Sequence, residues 1–281
     1  MPNHLNTSPD LSNPYPLEDR RKAEYRENGF VLLRGVCSKE EVSAYREAIT
    51  AATYRYNNER RPVEERDTYG RAFLQIPNLW TKEEDVRSFV FAKRFARIAA
   101  ELMGVKAVRL YHDQALYKEA GGGPTPWHQD FYYWPLDSSN SITLWMPLVD
   151  VTEDMGTMIF ASGSQKEGYL GAFEISDRSE EFFTQFVAKK GYTLVPAGAM
   201  SAGDATFHSG ATLHSAPGNT SNATREAMTI IYFADGVKIM DHPDNPNRLR
   251  DLQTWFPGVK PGEPAVSSLN PLLYSVNSET I

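Results

Sequence analysis

Residues 126–134, PWHQDFYYW, decide how this chain is interpreted. The run of aromatic residues predicts a β-strand, and in a strand His128 and Asp130 lie on the same face because they are two positions apart. An imidazole and a carboxylate side by side are two of the three protein ligands of a facial metal site, which leaves other coordination positions open. The stretch therefore predicts a metal site, provided that a second histidine reaches it.

The sequence around this stretch predicts a mainly β fold with flanking helices. After Gly104, short strand patterns alternate with Gly and Pro clusters, as they do in β-sandwiches and barrels. The predicted strands are residues 105–117, 126–134, 141–151, 157–160, 192–195, 205–207, 211–215 and 227–233. The predicted helices are residues 17–28, 38–56, 82–103 and 174–189, and the tail from residue 238 is predicted to be irregular. We expect residues 1–16 to form a flexible lead-in and residues 17–281 to form a single domain, with core strands over about residues 105–235.

The composition excludes several classes of protein. The 36 acidic and 29 basic residues give a formal charge of −7, which argues against a nucleic-acid partner. Cys37 is the only cysteine, so neither an intrachain disulfide nor a cysteine-rich zinc module is available. The first residues lack the apolar segment of a signal peptide, and no stretch approaches the length of a membrane span. We therefore expect a cytoplasmic protein, monomeric or homodimeric, without a membrane partner.

The missing metal ligand has two candidates within one segment. His208 and His214 both lie in GDATFHSGATLHSAPGN, where short strand patterns follow a Gly-Asp turn signal. Arg225 comes eleven residues after His214 and opens the next predicted strand. A guanidinium offers two parallel donors that match a carboxylate, which a lysine does not.

These residues together resemble the phytanoyl-CoA dioxygenase family of Fe(II)/2-oxoglutarate oxygenases. The resemblance lies in WHQD, Trp145, Gly156, the Gly-Asp pair at 203–204, and His214 with Arg225 eleven residues on. The segments YRENGFVLLRGVCSKEEVSAYREAI and WFPGVKPGEPA extend it over about residues 24–265. The resemblance implies a double-stranded β-helix, a cupin-like jelly roll, with helices against one side.

It also implies roles for individual residues. His128, Asp130 and His214 would bind Fe(II), since the spacing to the arginine favours His214 over His208. Arg225 would bind the distal carboxylate of 2-oxoglutarate, whose keto-acid end would take two open positions on the metal and leave one for O2. Further positions that correspond to co-substrate contacts are Gln114, Trp145 and Gln75. One departure is Ala216, where the family often has a serine that binds the co-substrate.

The predicted reaction is hydroxylation of an unactivated C–H bond in a small apolar or cyclic metabolite. It would be coupled to conversion of 2-oxoglutarate to succinate and CO2. Halogenating relatives lack the carboxylate, so the presence of Asp130 favours hydroxylation, with desaturation or ring formation left open. On the strand interpretation, Tyr132 and Trp134 continue the face of His128 and would line the substrate pocket, with His208 as a third candidate.

Three alternatives remain open at the level of sequence. The same fold would serve as a non-catalytic metal-binding or ligand-binding module. Within the family, an acyl-CoA hydroxylase is the other option for the substrate. A zinc hydrolase would use the same three ligands but gives Arg225 no role and lacks an obvious general base.

Overall fold

The computed structural model describes residues 9–171 and 173–276. The described residues form seven α-helices: α1 (Asp19–Asn28), α2 (Lys39–Tyr56), α3 (Thr68–Ala72), α4 (Glu84–Val90), α5 (Lys93–Met103), α6 (Asp177–Lys190) and α7 (Pro246–Trp255). They form eleven strands: β1 (Phe30–Leu33), β2 (Leu74–Pro77), β3 (Ala107–Lys118), β4 (Thr125–His128), β5 (Ser141–Pro147), β6 (Ile159–Ala161), β7 (Leu194–Pro196), β8 (Ala205–Ser209), β9 (His214–Ala216), β10 (Arg225–Ala234) and β11 (Leu272–Ser275). No helix within these residues is long and apolar enough to cross a lipid bilayer.

The strands form two antiparallel sheets, which confirms the predicted mainly β class with flanking helices. The larger sheet has the order β1-β8-β5-β10-β3-β11, and β2 pairs with the other part of β3. The smaller sheet has the order β4-β9-β6-β7. The long strand β10 runs between β5 and β3, so it fixes the register of the centre of the larger sheet.

The two faces of the larger sheet bury different surfaces, because side chains alternate along each strand. Leu144 and Ile230 lie side by side on one face and belong to a core cluster that includes α2, α4 and α5. On the other face, Trp145, Thr229 and Gln114 lie in one row across β5, β10 and β3. These three residues line a cavity, so the same register that buries the helices aligns polar groups on the opposite face.

The helix predicted over residues 82–103 is two helices, and this prediction was wrong. Ala92, between α4 and α5, leaves the helical region with φ −52° and ψ 116°. The main-chain nitrogen of Arg94 then donates to the carbonyl of Leu11 at 3.1 Å, and Leu11 is buried. The apolar spacing does not reveal the break, because both halves bury side chains in the same core cluster.

The tail after residue 238 is more ordered than predicted, since it contains α7 and β11. The Asn245 side chain accepts a hydrogen bond from the Arg248 main chain, and Pro246 takes the first helical position. These are ordinary helix-start signals, hidden in a segment whose Pro, Asn and Asp content suggested a loop. Residues 1–8 of the predicted lead-in lie outside the described residues, and the domain boundary at residue 17 stays a prediction.

Candidate metal site and adjoining cavity

Three side chains converge where the smaller sheet meets the cavity. His128 ends β4 and His214 begins β9, and the two are paired across the strands with ring centroids 4.1 Å apart. The Oδ1 atom of Asp130 lies 3.6 Å from Nε2 of His128 and 3.8 Å from Nε2 of His214. The candidate ligand atoms all lie within 4.8 Å of one another, so these residues, hereafter the triad, could hold one metal ion.

The reason for this convergence differs from the prediction, because residues 126–134 do not form one strand. β4 stops at His128, and Asp130 opens a single 3₁₀ turn. The amide of Gln129 fixes the bend, since its Nε2 donates to the carbonyls of Gly168 and Ala211 at 2.8 and 2.6 Å. Asp130 is therefore brought to the two histidines by a turn and not by the alternation of a strand.

Main-chain carbonyls orient both histidines. Nδ1 of His128 donates to the Pro126 carbonyl at 2.8 Å, and Nδ1 of His214 donates to the Thr212 carbonyl at 3.0 Å. A carbonyl only accepts, so each imidazole carries a proton on Nδ1 and turns Nε2 toward Asp130. Metal-binding histidines commonly have this second hydrogen bond, which fixes the tautomer and the ring plane.

The protonation states suit a metal site. Burial, together with the neighbouring His128 and His208, lowers the pKa of His214 well below its usual value. Burial opposes ionisation of Asp130, but the imidazoles of His214, His128 and His208 hold the pKa of that carboxyl well below its usual value. Metal ligands must be deprotonated, and the lowered pKa values of His214 and Asp130 favour a neutral imidazole and a carboxylate at these two positions.

His208 also reaches Asp130, but in a different way. Its Nε2 lies 3.3 Å from Oδ2 of Asp130, and its Nδ1 is buried without a hydrogen-bond partner. Because a carboxylate only accepts, the proton of His208 is on Nε2, opposite to the arrangement in His128 and His214. Oγ1 of Thr143 donates to the same Oδ2 at 2.9 Å. Oδ2 of Asp130 thus accepts from two donors, while Oδ1 faces the two histidines of the triad.

The triad opens into a cavity of about 610 Å³. Six other predicted site residues line it: Gln75, Gln114, Trp134, Trp145, His208 and Arg225. Tyr132 does not, and that prediction was wrong. The 3₁₀ turn after Gln129 replaces the strand alternation, so Tyr133 faces the cavity while the Tyr132 hydroxyl lies 3.5 Å from the amide of Asn247.

Arg225 is a buried cation with unused donors in the wall of this cavity. It is only 2% exposed, and its guanidinium lies 5.3 Å from the centre of the Trp145 ring. Nη1 donates to the Gly156 carbonyl, whereas the buried Nε has no partner. Within the described part of the chain no carboxylate pairs with Arg225, and burial lowers its pKa to about 10. The pKa of the neighbouring Lys118 is lowered to about 6, mainly by burial and further by the positive charge of Arg225. Arg225 therefore carries the positive charge here at neutral pH.

A chain of polar side chains lies on β2, β3 and α3. The Tyr69 hydroxyl donates to Oε1 of Gln75 at 2.5 Å, and Nε2 of Gln75 donates to Oε1 of Gln114. The amide nitrogen of Gln114 has no hydrogen bond within the described residues, and Gln114 lines the cavity. Tyr69 was not predicted, because a tyrosine in a five-residue helix carries no signal in its spacing.

Sequence reasoning missed several further residues of the cavity wall. His112, Asp251 and Trp255 line it, and the last two lie on α7 in the tail that was predicted to be irregular. Their contribution depends on α7 packing beside β3, where the Tyr111 hydroxyl donates to Oδ2 of Asp251 at 2.8 Å. The Asn-Pro helix start at 245–246 and the amphipathic pattern after it would have identified α7. They would not have shown that α7 forms part of the cavity wall.

Two imidazoles and one carboxylate beside an open cavity define the facial-triad class of mononuclear metal sites. A model of the phytanoyl-CoA dioxygenase (PhyH) family matches residues 25–227. The chain belongs to this family, which makes it a dioxygenase by class and confirms the resemblance found in the sequence.

The chain is also similar to individual relatives and solved structures. The α-ketoglutarate-dependent carbocyclase SnoK from nogalamycin biosynthesis is 26% identical, with a TM-score of 0.74 over 92% of this chain and 99% of SnoK. The epimerase SnoN, in complex with Fe³⁺, α-ketoglutarate and nogalamycin RO, is 25% identical, with a TM-score of 0.72 over 91% and 98% of the two chains. A probable α-ketoglutarate-dependent hypophosphite dioxygenase of Stutzerimonas stutzeri is 24% identical over 52% of this chain, which spans about half (53%) of that protein.

Proposed function

We propose that this protein is an Fe(II)- and 2-oxoglutarate-dependent dioxygenase that oxidises a C–H bond of a small apolar or cyclic metabolite. His128, Asp130 and His214 bind Fe(II), and Arg225 binds the distal carboxylate of 2-oxoglutarate. The observation that carries the proposal is the uncompensated guanidinium of Arg225 in the wall of the cavity that contains the triad. A buried cation without a partner is unfavourable, and a dicarboxylate held at the metal supplies the missing charge.

Different residues then bind the metal and the co-substrate. The two imidazoles present Nε2 to the metal, and Asp130 adds one negative charge, so the ferrous site keeps a net positive charge for the keto-acid end of 2-oxoglutarate. Gln114, Trp145 and Gln75 contact the co-substrate from the larger sheet. Iron, when bound, couples oxidation of 2-oxoglutarate by O2, which yields succinate and CO2, to removal of hydrogen from the substrate. Ala216 lines the cavity without a hydroxyl group, so anchoring depends more strongly on Arg225.

We also propose that the two sheets form the double-stranded β-helix of this class and that residues 17–281 act as one domain. The antiparallel pairing throughout both sheets supports the first proposal. Two placements support the second: α7 lines the same cavity as the triad, and β11 pairs with β3 of the larger sheet, whose side chains also line that cavity.

Hydroxylation is the outcome that Asp130 favours, since this carboxylate occupies the position that a halide would need. A second candidate is ring closure or epimerisation at the carbon that loses hydrogen. The similarity to SnoK and SnoN over nearly the full length of both favours it. Both outcomes use the same iron and co-substrate, so they differ only in what happens to the substrate after hydrogen removal.

The test is the visible charge-transfer band that anaerobic Fe(II) and 2-oxoglutarate give when both bind one site. We expect the band in the wild type and in Arg60→Ala, a control that removes an exposed arginine. We expect His128→Ala and Asp130→Ala to lose both the band and 2-oxoglutarate turnover. Absence of the band in the wild type would favour the non-catalytic module, and activity with zinc in place of iron would favour the hydrolase. Succinate release screened over apolar metabolites and acyl-CoA thioesters then separates the two substrate classes.

A further inference from the structure

One wall of the cavity carries a buried carboxylate that the proposed reaction does not use. Asp251, on α7, is 8% exposed and lines the cavity. Its hydrogen-bond partners are the Tyr111 hydroxyl, at 2.8 Å, and the side chain of Trp255. Both partners are neutral, and no cation forms an ion pair with Asp251 in residues 9–171 and 173–276. In its ionised form, the Asp251 carboxylate is therefore stabilised by two neutral donors and by the nearby charge of Arg250, but by no ion pair within the described part of the chain.

The other charged residues of this wall leave the balance negative. Asp130 and Arg225 are used by the metal and the co-substrate. The remaining charged side chains that line the cavity are the acids Asp67, Glu174 and Asp251 and one base, Arg250. Arg250 is an exposed residue whose Nη2 donates to Oδ1 of Asn247 on the same helix, and its charge lowers the pKa of Asp251 without forming an ion pair. A substrate with negative groups would meet this wall unfavourably.

A neighbouring imidazole adds an independent sign of a missing ligand. His112 is 6% exposed and lines the cavity, and its ring centre lies 4.8 Å from that of Trp255. Its Nδ1 is buried without a hydrogen-bond partner. Burial lowers the pKa of His112 to about 4, so this imidazole is neutral and does not compensate Asp251. An unpartnered polar group this deeply buried costs free energy until an occupant or a rearrangement satisfies it.

The rest of the wall is aromatic. Trp134, Trp255 and Tyr133 line the cavity, with Tyr69 and Phe73 near the chain of glutamines. Indole and phenol faces bind flat apolar rings, and they also attract a cation placed over them. A carboxylate set among such faces is a common way to bind an ammonium group that is joined to an apolar body.

We propose that the substrate carries a protonated amine, which Asp251 receives, on an apolar ring system that packs against Trp255 and Trp134. This inference rests on the proposed function, since it takes the cavity beside the triad as the active site. Burial raises the pKa of Asp251 to about 7, and an ammonium group in contact with it would return the carboxyl to its ionised form. The same wall disfavours a coenzyme A thioester, whose phosphates would add negative charge.

The test compares matched probes on protein loaded anaerobically with Fe(II) and 2-oxoglutarate. The probes are phenyl, indolyl and naphthyl compounds that each end in an ethylamine, an ethyl alcohol or a propionate. Isothermal titration gives their affinities. For at least one ring we expect the amine to bind about tenfold or more tightly than the alcohol, because the alcohol can still donate a hydrogen bond to Asp251 but brings no positive charge to it. We expect the propionate to bind most weakly.

Three variants locate the residue responsible for the amine preference. Asp251→Asn keeps an acceptor for Tyr111. In this variant the affinity for the amine should fall to that for the alcohol, and the affinity for the alcohol should not change. Asp241→Asn removes an exposed acid that does not line the cavity, and it should keep the preference. Glu174→Gln, at the exposed edge of the cavity, should cause a smaller loss and provides an independent reading if Asp251→Asn does not fold.

The outcomes separate this inference from the proposed function. Equal binding of amine and alcohol, tighter binding of the propionate, or no amine binding up to its solubility overturns the inference. A preference for the amine over the alcohol that persists in Asp251→Asn also overturns the inference. The charge-transfer band, recorded on the same samples, tests the metal and co-substrate: if the band forms and the amine preference is absent, only the substrate class is wrong.

Discussion

Replacing Thr143 with valine tests how the Asp130 carboxylate is held. Valine has nearly the shape of threonine but lacks the hydroxyl that donates to Oδ2 at 2.9 Å. A hydrogen bond to a charged group contributes about 1.5–3 kcal/mol. Loss of an outer partner of a metal ligand typically weakens metal binding by about 10- to 100-fold. We expect about a tenfold loss, the lower end of that range, because Nε2 of His208 still lies 3.3 Å from the same oxygen.

The measurement is Co(II) affinity by calorimetry under anaerobic conditions, so it does not depend on turnover. The matched control is Thr206→Val, because Thr206 lies on the same strand as His208 and its buried hydroxyl has no hydrogen-bond partner. We expect this control to bind Co(II) as the wild type does. His208→Ala should weaken binding, and the double variant of Thr143 and His208 should depart from additivity, since both residues hold one oxygen.

Two results would refute this account of Asp130. One is a Co(II) affinity in Thr143→Val that matches the affinity of Thr206→Val. The other is strict additivity in the double variant, which would mean that the two donors act on different groups. If His208 were a metal ligand itself, His208→Ala would abolish binding and Thr143→Val would not add to the effect.

Three further predictions follow from the buried charges. Arg225→Ala should weaken 2-oxoglutarate binding, measured by titration of the charge-transfer band, by about 10- to 100-fold, with only partial recovery in Arg225→Lys; an unchanged titration would remove the main support for the co-substrate site. His214→Ala should abolish Co(II) binding, whereas His112→Ala, elsewhere in the same cavity, should retain it; loss in both would point to a general structural effect. Burial raises the pKa of Asp113 to about 7 from 3.8, so its contribution to stability is present at low pH and is lost as the pH rises through this interval. Asp113→Asn should therefore raise the unfolding temperature relative to the wild type at pH 8 but not at pH 4, and an equal difference at both pH values would contradict the assignment.

Local signals predicted the parts of the fold that depend on local chemistry. The capping box of Ser38 and Glu41 begins α2 close to the predicted start at residue 38, and Gly29 and Gly104 end α1 and α5 in the left-handed conformation. The long strand β10 lies close to the predicted residues 227–233. In each case the deciding feature is a cap or a continuous apolar run within a few residues, which the sequence contains completely.

Parts that depend on distant partners could not be predicted in the same way. The turn at Gln129 needs the carbonyls of Gly168 and Ala211, which lie far along the chain. The cavity wall formed by Asp251 needs α7 to pack beside Tyr111. Neither pairing leaves a pattern in the sequence near the residue that it positions, so the strand alternation assumed for residues 126–134 wrongly placed Tyr132 in the pocket.

The comparison of His214 with His208 shows how an irregular backbone can determine which ring nitrogen of a histidine carries the proton. Each histidine of the triad donates through Nδ1 to the carbonyl two residues before it: His128 to Pro126 and His214 to Thr212. Those carbonyls are free because the β4–β9 pairing is irregular between Thr125 and His128 and β9 begins only at His214. His208 instead lies in β8, which pairs on both sides, and there the ladder takes the main-chain carbonyls. Its Nδ1 therefore has no acceptor, its proton resides on Nε2, and it donates to Asp130 instead of presenting a lone pair to the metal. On this reasoning a regular strand would convert a ligand histidine into a donor, and the short, broken strands of the smaller sheet are what make the triad capable of holding a metal.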